Sequence, residues 1–282
     1  MMMNTKNSVF SLTLAVVSSF LFFACQEDET ISSTSDADTD QLVTDEVIAD
    51  DLFEDMDEIS MEAAVYATNG RLASEGVTSG ACVTRTVERN QDFSSKITLT
   101  FSGECEGPKG RIRTGTMLVN RNLDFEAGNF PVSTTFQDFH VNGRKVEGTR
   151  TLVYSSEDKK LLTVNITLSS GKVTLEDGSV VSREGNFTRI IDRDNGQISM
   201  SGIASGINRF GTEYTTEITS DLIFKKECVA EGIFMPVRGT KIISRNDKAD
   251  VQLDFGDGTC DKTVTLMSEN EERTIELKIS KK

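Results

Sequence analysis

The sequence predicts an all-β fold, an antiparallel meander curved into an open sheet or half-open barrel, with one N-terminal amphipathic helix packed on it. Three observations carry this expectation. Runs such as Ile97-Thr98-Leu99-Thr100-Phe101, Leu162 to Leu168 and Ile275-Glu276-Leu277-Lys278-Ile279 alternate apolar with polar residues, the period of a half-buried strand. Asn142-Gly143, Asp177-Gly178 and Asn195-Gly196 stand between such runs, and these dipeptides favour tight hairpins, which force antiparallel neighbours. Only one segment, 44 to 67, carries a strong helical period. A two-sheet β-sandwich is the alternative, because alternation shows that one face is buried but not what buries it.

In chain order, residues 1–24 come first. Lys6 is the only charge before Cys25, and an apolar or small stretch runs from Val9 to Ala24. That is the profile of a secretory signal, and it is too short for the roughly 20 apolar residues of a spanning helix. The Ala24-Cys25 junction resembles a bacterial lipobox, in which the cysteine is diacylated and becomes the first mature residue. Phe22 and Phe23 depart from that pattern, standing where it usually has leucine and a small residue.

Residues 25–43 read as a lipidated, disordered acidic tether, since their Ser, Thr, Asp and Glu cannot bury enough surface to offset chain entropy. From 26 to 63 there are fifteen acids and no Lys or Arg, so this stretch carries −15, as much as the net charge of the whole chain. With the acidity concentrated there, nucleic acid is excluded as a partner, because its affinity depends on neutralising phosphates.

Residues 44–67 read as the helix. Ile48, Leu52, Met56, Ile59 and Ala63 recur every three or four residues and share an arc of about 80°, with most acids outside it. Thr44 is placed as N-cap, and Asp45 and Glu46 complement the positive end of the helix dipole. The apolar stripe is expected to cover the sheet.

Residues 81–282 read as a single β-rich domain of roughly a dozen strands or more. Its four cysteines, in an exported chain, suggest disulfides. The stretch from Ile97 to Cys105 echoes that from Val251 to Cys260, and each has a second cysteine upstream, Cys82 and Cys228, followed by valine. If each pair brackets a strand, a turn and a returning strand, the pairing is Cys82 with Cys105 and Cys228 with Cys260. Zinc is the alternative, but CxxC spacings are missing and the chain has one histidine, His140.

The acidic run Gln26-Glu27-Asp28-Glu29 after Cys25 resembles the export signal of surface-exposed Bacteroidota lipoproteins. Together with the Phe255-Gly256-Asp257-Gly258-Thr259-Cys260-Asp261 motif and the segment Phe139 to Arg150, it is similar to a family of uncharacterised Bacteroidota lipoproteins. That resemblance implies a lipid anchor on Cys25, an outer-membrane address facing the cell surface and a β fold; it implies no activity.

No catalytic constellation stands out. Asp254, Asp257 and Asp261 offer hard oxygen ligands to Ca²⁺, but their spacing is not that of an EF-hand loop, and a glycine-rich turn is the preferred reading over a metal site. No Gly-x-Ser-x-Gly elbow occurs. The chain has no Trp and three Tyr, Tyr66, Tyr154 and Tyr214, a poor supply of stacking platforms for sugars. The expectation is a non-enzymatic β scaffold without a cofactor, held on the membrane by its lipid and meeting an unknown protein or glycan ligand. The alternatives are a periplasm-facing lipid or lipoprotein carrier and a glycan-active hydrolase.

Overall fold

The computed structural model describes residues 33–68, 76–77, 82–92, 94–107, 110–122, 129–156, 160–246, 248–269 and 271–277. Helix α1 (Ser33–Thr68) precedes β1 (Gly76–Val77), β2 (Val83–Arg89), β3 (Ser95–Glu106), β4 (Ile112–Arg121) and β5 (Phe130–Val141). There follow β6 (Arg144–Ser155), β7 (Leu161–Thr174), β8 (Val180–Asp192), β9 (Gln197–Ile207), β10 (Glu213–Lys225) and the short α2 (Lys226–Ala230). The chain then forms β11 (Arg238–Arg245), β12 (Lys248–Asp257), β13 (Thr263–Ser268) and β14 (Glu271–Glu276). Among the described residues these 14 strands make one sheet in sequence order, antiparallel at every step. A single meander forms, not a sandwich.

The turn residues act where the sequence places them. Asn142 and Gly143 both adopt positive φ, 49° and 80°, as a type I′ hairpin between β5 and β6 requires. Asp177-Gly178 turns β7 into β8, and Asn195-Gly196 turns β8 into β9. At the C-terminal end β14 is described to Glu276, Leu277 N–H donates to the Lys262 carbonyl at 2.9 Å, and the rest of the expected strand Ile275 to Ile279, with 280 to 282, lies outside the described residues.

The sheet bends along a row of bulges. Register shifts fall between Phe101 and Cys105, Thr114 and Thr116, Thr135 and Phe139, Glu147 and Thr149, and Leu168 and Gly171. The residues at these shifts include Gly103, Gly115, Asp138, Gly148 and Ser170, all at positive φ. The extra residues lie at one level on β3, β5 and β7, across five successive strand pairs, and such bulges accentuate twist and fold the sheet across that line.

The bend gives the sheet a concave face, and α1 lies in it. Asp55 and Asp57 project about 160° apart on a helix, yet both are buried, Asp55 against β4 and Asp57 against β6 and β8. A flat sheet cannot cover both sides of one helix, so the strands wrap around it. Leu52, Phe53 and Met56 of α1 enter the same core as Ile97, Met117, Leu152, Ile166 and Leu253.

Two expectations about this segment are corrected. The helix begins at Ser33, so the reach assigned to a disordered tether, 25–43, is helical from that residue on. Thr44 is an interior helical residue whose hydroxyl bonds the Asp40 carbonyl at 2.7 Å, not an N-cap. The earlier start follows from packing: Leu42 and Val43 are buried and Asp40 pairs with Arg273, so the body stabilises turns that composition alone would not. The burial of α1 is also wider than its apolar stripe, sweeping roughly 240° of its circumference and enclosing acids with the apolar residues.

Candidate functional site

Most acids of α1 are not left to solvent; they pair with a cationic cradle. From residue 38 to 62, ten of them form ion pairs with ten Lys and Arg residues of the β body. Going along the helix, Asp38 meets Lys248, Asp40 meets Arg273 and Asp45 meets Arg209. Glu46 and Asp50 share Arg183 and Lys241. Asp51 and Asp55 hold Arg111, and Asp55 also holds Arg113. Glu54 and Asp57 meet Arg189, Asp57 also takes Arg150, and Glu62 reaches Arg85.

The central pairs are short and dry. Arg150 forks onto Asp57, with Nε 2.6 Å from Oδ1 and Nη2 2.9 Å from Oδ2, while its guanidinium lies 5.6 Å from the centroid of Phe53. Lys241 is only 2% exposed, and its Nζ sits 2.7 Å from both Glu46 Oε1 and Asp50 Oδ2. A buried lysine is tolerated only with such partners.

Protonation follows from this packing. Burial alone would raise the Asp50 carboxyl, but Arg183 and Lys241 outweigh it and hold the group below the ordinary carboxylate range. Burial would likewise lower the Arg183 guanidinium, and Asp50 and Glu46 keep it firmly charged. Burial, followed by the Glu46 charge, pushes the Tyr214 phenol up. These shifts keep Asp50 and Arg183 charged and Tyr214 neutral around neutral pH.

The arginines escaped the sequence reading, though a signal was present. On β4 and just before it, Arg111, Arg113, Met117, Val119 and Arg121 share odd numbering and are all buried. On β8, Val181, Arg183, Phe187 and Arg189 do the same. Charges on the core side of a strand demand buried counter-charges, and the one acid-rich segment without cations is α1.

The residues singled out from the sequence have other placements. Cys25 and Gln26, Glu27, Asp28 and Glu29 lie outside the described residues. Cys228 and Cys260 form a disulfide; Cys82 is disulfide-bonded, and the side chain of Cys105 lies outside the described residues. Asp254 Oδ1 accepts from Gly256 N–H, Asp257 Oδ1 from Thr259 N–H and Asp261 Oδ1 from Thr263 N–H, at 2.9 to 3.0 Å. Each thus closes its own turn. Among the described residues, three metal-ligand side chains come within 4.8 Å of one another only at Glu227, Cys228 and Cys260, where the two sulfurs are spent on each other. His140 faces the Asp138 carbonyl, Nδ1 to O 3.0 Å, beside the β5–β6 turn.

Concavities outside the filled cradle include two of different character among the described residues. One, of about 590 Å³, opens across β7 to β11, with Gly171 and Gly206 beside Lys172, Glu184, Glu213 and Arg245. The other, about 220 Å³, lies at the seam where β14 faces the β5–β6 turn across α1. No protein-family model, curated protein or solved structure matches the chain.

Proposed function

We propose that this is a non-enzymatic binding scaffold, a lipoprotein anchored through an acylated Cys25 in the outer membrane and exposed at the cell surface. The observation that carries the scaffold reading is the helix-filled cradle. Ten cations line the concave face where a catalytic cleft would open, and each is paired with an acid of the chain's own helix. Buried ion pairs add little net stability but fix register, which suits a body that holds one shape and meets ligands elsewhere.

The address rests on the Ala24-Cys25 junction and the acidic run behind it. With α1 beginning at Ser33, only seven residues separate the anchor from the helix, so the linker spans at most about 27 Å. The body then stands close to the lipid surface. Labelled palmitate incorporated into wild type but not into Cys25→Ala, with protease shaving that removes the protein from intact cells, is the expected result. Labelling of both forms overturns the anchor, and protection in intact cells with cleavage in lysates overturns surface exposure.

The second reading, a carrier of lipid-like molecules, is favoured by the apolar cavity at the seam. It shares the scaffold and differs in what the scaffold holds.

A further inference from the structure

Where β14 faces the β5–β6 turn across α1, six apolar side chains line a half-enclosed cavity of about 220 Å³: Val47, Ile48 and Leu52 of α1, Val141 of β5, Ile275 of β14 and Leu277 beyond it. That volume lies between the roughly 150 Å³ of an apolar cavity that admits benzene and the roughly 300 Å³ at which drug-sized pockets begin. It suits one short aliphatic chain, not a multi-chain lipid.

Most polar groups around it are committed within the protein. The Asn142 side-chain oxygen accepts the Ile112 N–H at 2.8 Å, and Arg111 and Asp51 hold each other. Arg144 is different. It is a lining residue whose Nη2 meets Glu176 Oε1 at 3.0 Å, with the Arg144 side chain 20% exposed and that of Glu176 70% exposed. Exposed partners contribute little, so a ligand carboxylate replaces Glu176 at small cost and gains a forked, charge-assisted contact. The carboxylate of Glu276, also at the lining, opposes an anion there.

We infer that the seam cavity binds a medium-length aliphatic carboxylate, its chain against the six apolar side chains and its head group on the Arg144 guanidinium. The inference rests on the binding-module reading and not on the membrane address.

The test titrates octanoate, octanol and acetate into the Cys25→Ala protein, followed by calorimetry and by methyl NMR. The expected result is saturable octanoate binding that shifts the methyls of Ile48, Val141 and Ile275, with no such response to acetate. Arg144→Gln, a change beside the β5–β6 turn, should weaken octanoate by about tenfold or more, the loss of its charge-assisted contact, and leave octanol unchanged. Glu276→Gln should tighten octanoate. Absence of saturable octanoate binding, shifts confined to other methyls, or equal affinity in Arg144→Gln overturns the inference. Because these measurements need no lipid and no cell surface, their outcome is separate from palmitate labelling and shaving.

Discussion

Arg113 of β4 grips Asp55 of α1 with a two-pronged contact, Nη2 2.7 Å from Oδ1 and Nε 3.0 Å from Oδ2, and the two side chains are only 3% and 2% exposed. At that depth water cannot take over for a missing partner. The pair therefore decides whether the helix is a removable cover or part of the core.

Replacing one partner should be severe and replacing both mild. Asp55→Leu leaves Arg113 buried beside an apolar side chain, and the expected loss is about 3–5 kcal/mol. Arg111 also loses Asp55 but keeps Asp51, so adding Arg113→Leu removes the one wholly stranded charge and should restore much of that stability. Urea unfolding of wild type, both single variants and the double variant measures it. A loss below about 1 kcal/mol for Asp55→Leu, the size seen for exposed pairs, would mean that solvent reaches the cradle.

Acid should loosen the helix in a defined window. Asp50 titrates below its ordinary value of 3.8 when folded, so between the two values the unfolded chain binds more protons and stability rises with pH. Its contribution is complete above the ordinary value and fades as pH falls through the folded one. Helix protection in amide exchange should thus be unchanged from pH 7 to 5 and decline below about pH 4. In Asp50→Asn this part of the decline should be absent.

The strand framework was readable because its determinants are local. Alternation in Ile97 to Phe101 and the Asn142-Gly143 turn depend on neighbours in sequence, and both sit in the structure where expected. The Cys228–Cys260 pairing was readable for a related reason: the echo between the stretches ending at Cys105 and Cys260 places Ile97, Leu99 and Phe101, like Val251, Leu253 and Phe255, on buried faces. The cradle was harder, because its two halves are far apart in sequence, as Asp57 and Arg189 are. Acids counted on α1 alone look solvated; only the inward parity of Arg111, Arg113, Arg183 and Arg189 tells where they go.

Loss of the Cys228–Cys260 bond should act mainly on the C-terminal strands. The Cys228–Cys260 bond spans a separation of 32 residues and ties α2 to the loop after β12, with β11 and β12 between them. In the chain-entropy model such a closure contributes about 3–4 kcal/mol. The variant Cys228→Ala/Cys260→Ala should lose about that much in urea unfolding. Amide exchange should quicken first in β11 to β14, whereas β5 to β8, in the middle of the sheet, should keep their protection.

The curvature that makes the cradle can be tested at a single glycine. Gly115 has φ +90°, and a Cβ built on it would lie 2.0 Å from the Asp138 carbonyl oxygen on β5. Gly143, at φ +80°, has nothing within 4 Å of the same point. Alanine at either position meets the left-handed penalty of roughly 1–2 kcal/mol, so the difference between them isolates the close approach of β4 and β5 at the bulge. Gly115→Ala has no flexible side chain to push aside, only backbone, and must move the two strands apart on the line where the sheet bends. The expected order is a loss of about 1 kcal/mol for Gly143→Ala and a loss exceeding it by about 1–3 kcal/mol for Gly115→Ala. Because Arg113 lies two residues from Gly115, the same change should also speed amide exchange in α1 around Asp55, while Gly143→Ala should leave it untouched. Equal losses, with α1 exchange unaltered in both, would show that the bulge row does not set the shape that holds the helix.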